Sequence, residues 1–102
     1  MTSVSTTDKI KATTAKLTEI LLAKNHDYGN SALSLPFLKP SVGTEFALLV
    51  RMGDKIARLK TLLNNHGGAK VDETIDDTLM DLAGYCVLLL VVRWDKDIDK
   101  EI

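Results

Sequence analysis

Apolar residues along this chain recur at helical spacing, and no segment alternates with the period of two that marks a strand. Ile10, Leu17, Ile20 and Leu21 line one side of a first helix that starts near Thr6 or Thr7, with Asp8 suited to its N-terminal dipole. This helix is expected to end before Asn25-His26-Asp27-Tyr28-Gly29-Asn30, where Gly29 marks a turn. From Ser31 to Gly43 the chain carries Pro36 and Pro40, which leave room for one short helical turn. A second long helix starts between Ser41 and Thr44, with Leu48, Leu49, Met52, Ile56, Leu59 and Leu63 as its apolar stripe, and Asn64-Asn65-His66-Gly67-Gly68 stops it. A third opens at Asp72 as N-cap and runs to Trp94 or Lys96, leaving Asp95 to Ile102 as a solvated tail. The expected fold is therefore all-α: a single domain over residues 1–102, with three long helices and a short connecting turn.

The third helix adds an expectation about assembly. From Leu82 to Val92 it is apolar around its whole circumference, so it must be covered on more than one side. Two further helices of one small chain can hardly do this, and a homo-oligomer packed through the third helix is expected to complete the bundle, the alternative being a central helix shielded within one monomer.

Composition narrows the function classes. The chain has 102 residues, 26% of them charged, with a formal net charge of -1, so it offers no basic excess for an extended nucleic-acid footprint. The single cysteine, Cys86, cannot form an internal disulfide, which suits a reducing, cytoplasmic compartment. The N-terminus lacks the apolar segment of a signal peptide, and the apolar run from Cys86 to Val92 is too short to span a bilayer. Neither His26 nor His66 has matching zinc ligands nearby.

Two charged stripes and one loop could carry chemistry. Glu73, Asp77 and Asp81 stand four residues apart on the third helix, one face, with Asp76 beside them and Tyr85 following. Such a stripe can hold Mg²⁺, or, for Asp72, Glu73 and Asp76, simply complement the helix N-terminus. Asp81, among Leu79, Met80, Leu82 and Ala83, calls for a compensating partner: an ion pair or a metal. On the second helix Arg51, Lys55 and Arg58 share a face that could bind phosphates, with Asp54 able to pair with Arg58; the same residues would also serve as a solvated face or as partners of the acids. In the loop, Lys24 could meet a phosphate and Tyr28 could stack on a base, or the segment could be a plain hydrophilic turn.

Three motifs stand in order: Lys24-x-x-Asp27-Tyr28-Gly29-Asn30-Ser31, Arg51-x-x-Asp54-Lys55-x-x-Arg58-Leu59, and Asp76-Asp77-Thr78-Leu79-x-Asp81-Leu82-Ala83-x-Tyr85. Over about Ala23 to Leu90 the chain resembles the nucleotide modification associated domain 1 family, common in bacteriophages and related bacterial genomes. That family is in turn similar to the all-α nucleoside triphosphate pyrophosphohydrolases, the group of MazG and dimeric dUTPase, which are Mg²⁺-dependent helical oligomers. Their metal site uses Glu-Glu-x-x-Glu on one helix and Glu-x-x-Asp on a later one. Glu73-x-x-Asp76 fits the second half, with Asp77 and Asp81 as an alternative acidic pair, but where the first is expected this chain reads Arg51-Met-Gly-Asp54-Lys55, one acid among cations. Fewer acids hold a metal poorly, whereas the cations still attract phosphate.

The resemblance and the residues together imply a nucleotide-binding phage-type protein that sequesters a nucleotide or nucleotide-derived signal without strong catalysis, in the bacterial host cell. Lys24, Asp27, Tyr28, Arg51, Asp54, Lys55, Arg58 and Asp81 are the expected ligand-contacting residues. One alternative is a Mg²⁺-dependent nucleotide pyrophosphohydrolase, with Asp54, Glu73, Asp77 and Asp81 as metal ligands. Another is a structural helical partner whose charged stripes only pair with each other.

Overall fold

The computed structural model describes residues 3–27, 43–65 and 68–94. The connecting stretch with Pro36 and Pro40, the turn at Gly29, the loop residues Tyr28, His66 and Gly67, and the tail from Asp95 lie outside the described residues. The described residues form three helices and no strand: α1 (Thr6–Asp27), α2 (Thr44–Asn64) and α3 (Ala69–Trp94). They divide between two compact units, Met1–Ala32 and Leu33–Ile102. None of the helices is long and apolar enough to cross a membrane.

In the first unit, α1 begins where the sequence places it, at Thr6. Ser5 caps it: the Asp8 backbone N–H donates to Ser5 Oγ at 3.1 Å, which satisfies one of the orphan amides of the first turn. Replacing Ser5 with Ala is expected to cost the helix about 0.5–2 kcal/mol, read as faster amide exchange in that turn; unchanged exchange would show that the cap contributes nothing. The far end corrects the sequence reading. The helix continues through Asp27, so Lys24, Asn25 and His26 belong to its last turn rather than to a loop, and Lys24 and His26 complement its C-terminal dipole.

The second unit holds α2 and α3, packed side by side as an antiparallel hairpin. Gly43 precedes α2 with φ 82°, a backbone region that penalises any Cβ, and its carbonyl accepts the Ala47 N–H at 3.0 Å. Asn65 closes the helix in extended conformation, its N–H donating to the Leu62 carbonyl at 3.2 Å. The expected N-cap of the third helix at Asp72 is also corrected. Gly68, at φ 79°, opens α3 instead, and its carbonyl accepts the N–H groups of Val71 and Asp72, both at 3.1 Å. Asp72 therefore sits in the first turn of a helix that starts at Ala69, where its charge still suits the dipole.

The core of the hairpin is thin. Leu48 is 0% exposed and Thr78 3%, and Gly84 is the other buried residue described. Thr78 needs no outside partner, because its hydroxyl donates to the Thr74 carbonyl at 2.7 Å. Along the line where α2 and α3 meet, Met52, Leu59 and Leu62 on α2 and Leu82, Tyr85, Leu88, Leu89 and Val92 on α3 are half-buried. The stripe expected for α2 is thereby split: Leu48, Met52 and Leu59 turn toward the contact, while Leu49, Ile56 and Leu63 stay exposed. Apolar residues occupy too wide an arc of α2 for one neighbouring helix to cover.

Candidate functional site

Two ion pairs fix the register of the hairpin. Lys55 Nζ lies 3.2 Å from Asp81 Oδ2, and Arg93 Nη1 donates to Glu45 Oε2 at 3.0 Å. Moving forward along α2 from Glu45 to Lys55 takes the partner backward along α3 from Arg93 to Asp81, as antiparallel helices require. Continuing to Arg58 reaches the level of Asp77 and Thr78.

The same pairs define two flanks. Each residue turns the helix by about 100°, and antiparallel helices viewed end-on wind in opposite senses, so positions that trail the contact line on both helices share one side of the hairpin. With the contact line drawn through Leu48 and Thr78, Lys55 and Asp81 trail it, while Glu45 and Arg93 lead it. Arg51, Asp54 and Arg58 on α2, and Glu73 and Asp77 on α3, trail by roughly 60–140°. One flank thus brings together the cationic stripe of α2 and the acidic stripe of α3. On it Arg51, Lys55 and Asp81 are half-buried, and Asp54, Arg58, Glu73 and Asp77 are exposed.

Asp81 meets Lys55, one of the three cations the sequence offered it. The setting is less enclosed than its apolar sequence neighbours suggest: the side chains are 27% exposed for Lys55 and 40% for Asp81. Water screens a pair so placed, so Asp81→Asn is expected to change stability by no more than about 1 kcal/mol in urea melts. A loss of about 3 kcal/mol or more would mean that Asp81 behaves as a fully buried partner.

The acids do not assemble into a cage. Among the described residues no three His, Cys, Asp or Glu side chains form a group that could hold a metal ion. Asp54, Glu73, Asp77 and Asp81, the set required by a hydrolase, are spread along the flank, and Asp81 is engaged with Lys55. Of the other expected ligand residues, Lys24 is exposed on α1, Asp27 ends that helix, and Tyr28 lies outside the described residues. The sequence reading missed the Glu45–Arg93 pair. The two lie 48 residues apart, and the antiparallel register is the signal that matches them.

These features define a small all-α protein with a cationic and acidic flank on a two-helix hairpin. The family described as nucleotide modification associated domain 1 matches residues 24–92, which take in the last turn of α1, all of α2, and α3 as far as Val92. The chain belongs to this family. No curated protein and no solved structure matches it.

Proposed function

We propose that the protein binds a nucleotide, or a signal molecule derived from one, on the charged flank of the hairpin and holds it without rapid turnover. The observation that carries this reading is the Lys55–Asp81 pair on the same flank as Arg51 and Arg58. The acid that a hydrolase would commit to metal is matched by a lysine, and the two guanidinium groups can fork onto phosphate oxygens. Asp54 would orient the cations. The family's description, which speaks of nucleotide modification, is compatible with such a ligand. On this reading the chain is a binding relative of the all-α nucleoside triphosphate pyrophosphohydrolases, and sequestration of a nucleotide or nucleotide signal suits a bacteriophage protein acting in the host cytoplasm. A homo-oligomer belongs to the reading too, because the outer side of α3 is apolar and exposed.

The test is calorimetric titration with common nucleoside triphosphates, first in EDTA and then in Mg²⁺, followed by chromatography of the recovered nucleotide. Binding that persists in EDTA, with the nucleotide recovered intact, is expected. Binding that requires Mg²⁺ and returns monophosphate and pyrophosphate would overturn the proposal in favour of a pyrophosphohydrolase using Asp54, Glu73, Asp77 and Asp81.

A further inference from the structure

Lys55 leaves its helix closer to the α2–α3 contact line than the two arginines of its stripe. Counted from Leu48 at about 100° per residue, it trails the line by roughly 20°, against roughly 60° for Arg51 and 80° for Arg58. Its ammonium is held toward α3, 3.2 Å from Asp81 Oδ2. The arginines start further out, one turn before Lys55 and nearly one turn beyond it.

We infer that Asp81 competes with the ligand for Lys55, and so restricts the charged flank to anions that can outmatch a carboxylate. The inference deepens the proposal above and rests on its claim that the cationic stripe takes phosphate. Both ways of placing a phosphate at Lys55 lead to competition. If Lys55 keeps Asp81, a phosphate oxygen that accepts from Nζ at about 2.8 Å lies no more than about 6 Å from Asp81 Oδ2, because the two separations from Nζ set that limit. Anions so close stand inside the screening length of roughly 10 Å, and one compact positive charge is divided between them. If Lys55 swings out to meet the arginines, its pair with Asp81 breaks first. The carboxylate opposes binding in each case. A tether that prepared Lys55 for the ligand would hold it toward the arginines. This one holds it roughly 40–60° back from them, toward α3.

The consequence is selectivity. Chloride gains too little at Lys55 to offset the carboxylate, whereas a phosphate that also engages a guanidinium gains further charge-assisted hydrogen bonds. Asp54, Glu73 and Asp77 share the flank but trail by roughly 100–140°, and Asp81 is the acid that meets the lysine.

The experiment is calorimetric titration of the full chain with inorganic pyrophosphate, in EDTA at low salt. Pyrophosphate carries the phosphate chemistry without a base. Wild type, Asp81→Asn, Lys55→Gln and the double variant are compared, each checked for folding by circular dichroism, with the equally uncharged Asp81→Ser as a second replacement. Asp81→Asn is expected to tighten pyrophosphate binding roughly three- to tenfold, the scale of an exposed ion pair plus the repulsion removed with it. In the Lys55→Gln background the same change should gain less than about twofold, because the contested cation is gone. That difference separates competition for Lys55 from a general loss of negative charge. Weaker binding by the folded Asp81 variants would overturn the inference, since the carboxylate would then be holding Lys55 in place for the ligand. So would equal gains in the two backgrounds. Pyrophosphate ignored by all the folded proteins would overturn it as well: nucleotide binding in the earlier titration would then leave the wider proposal standing, and its absence there would remove both.

Discussion

Replacing Leu48 with alanine is expected to remove about 2–5 kcal/mol of folding stability, the range for a large-to-small change at a fully buried site. Leu48, in the second turn of α2, is the one large side chain among the described residues with no exposure. Around it the packing is half-buried, so little apolar material can close the cavity that the substitution leaves. Domains have about 5–15 kcal/mol of stability in total, so this loss is a large share of it and should move the urea midpoint to a markedly lower concentration. Urea denaturation at fixed protein concentration measures the change. A loss below about 1 kcal/mol would place the stabilising contacts elsewhere than between α2 and α3.

The second large effect is expected at Arg58. It is exposed on the charged flank, level with Asp77, and its removal should leave the fold intact. If it forks onto a phosphate, Arg58→Ala should weaken nucleotide binding by about 1.5–3 kcal/mol, or roughly 10- to 150-fold. Arg51→Ala should lose a similar amount, but Arg51 is half-buried, so its melting curve must be read beside its affinity. Unchanged affinity in folded Arg58→Ala would mean that the cationic stripe only pairs with the acids of α3, the arrangement of a purely structural partner.

The helices were legible because each signal for them is local. Hydroxyl and glycine residues ahead of periodic segments located the starts of α1 and α2. The start of α3 was not, since Asp72 is a good cap by type while the actual opening depends on Gly68 at positive φ. Likewise Lys24 to Asp27 read as a polar loop, although nothing in them forbids helix and their cations suit its end. The stripe on α2 showed that Leu48, Leu49, Ile56 and Leu63 are apolar, but periodicity alone cannot say which part of a wide arc the neighbour covers. The site was legible in the same partial way. The sequence narrowed the partner of Asp81 to three cations and the structure selects Lys55. Glu45 and Arg93 are separated by 48 residues, and only the packed register brings them together.

The central claim, that this chain retains an intact nucleotide-type ligand on its charged flank, is tested most directly by what the purified protein carries. The protein is denatured, and the small molecules released are identified and counted by mass spectrometry, for wild type and Arg58→Ala prepared side by side. An intact nucleotide or nucleotide-derived molecule, near stoichiometric from the wild type and strongly depleted in folded Arg58→Ala, is the predicted result. Release of no such molecule by the wild type, even after incubation with extract of the host cell, or equal amounts from the two proteins, would contradict it.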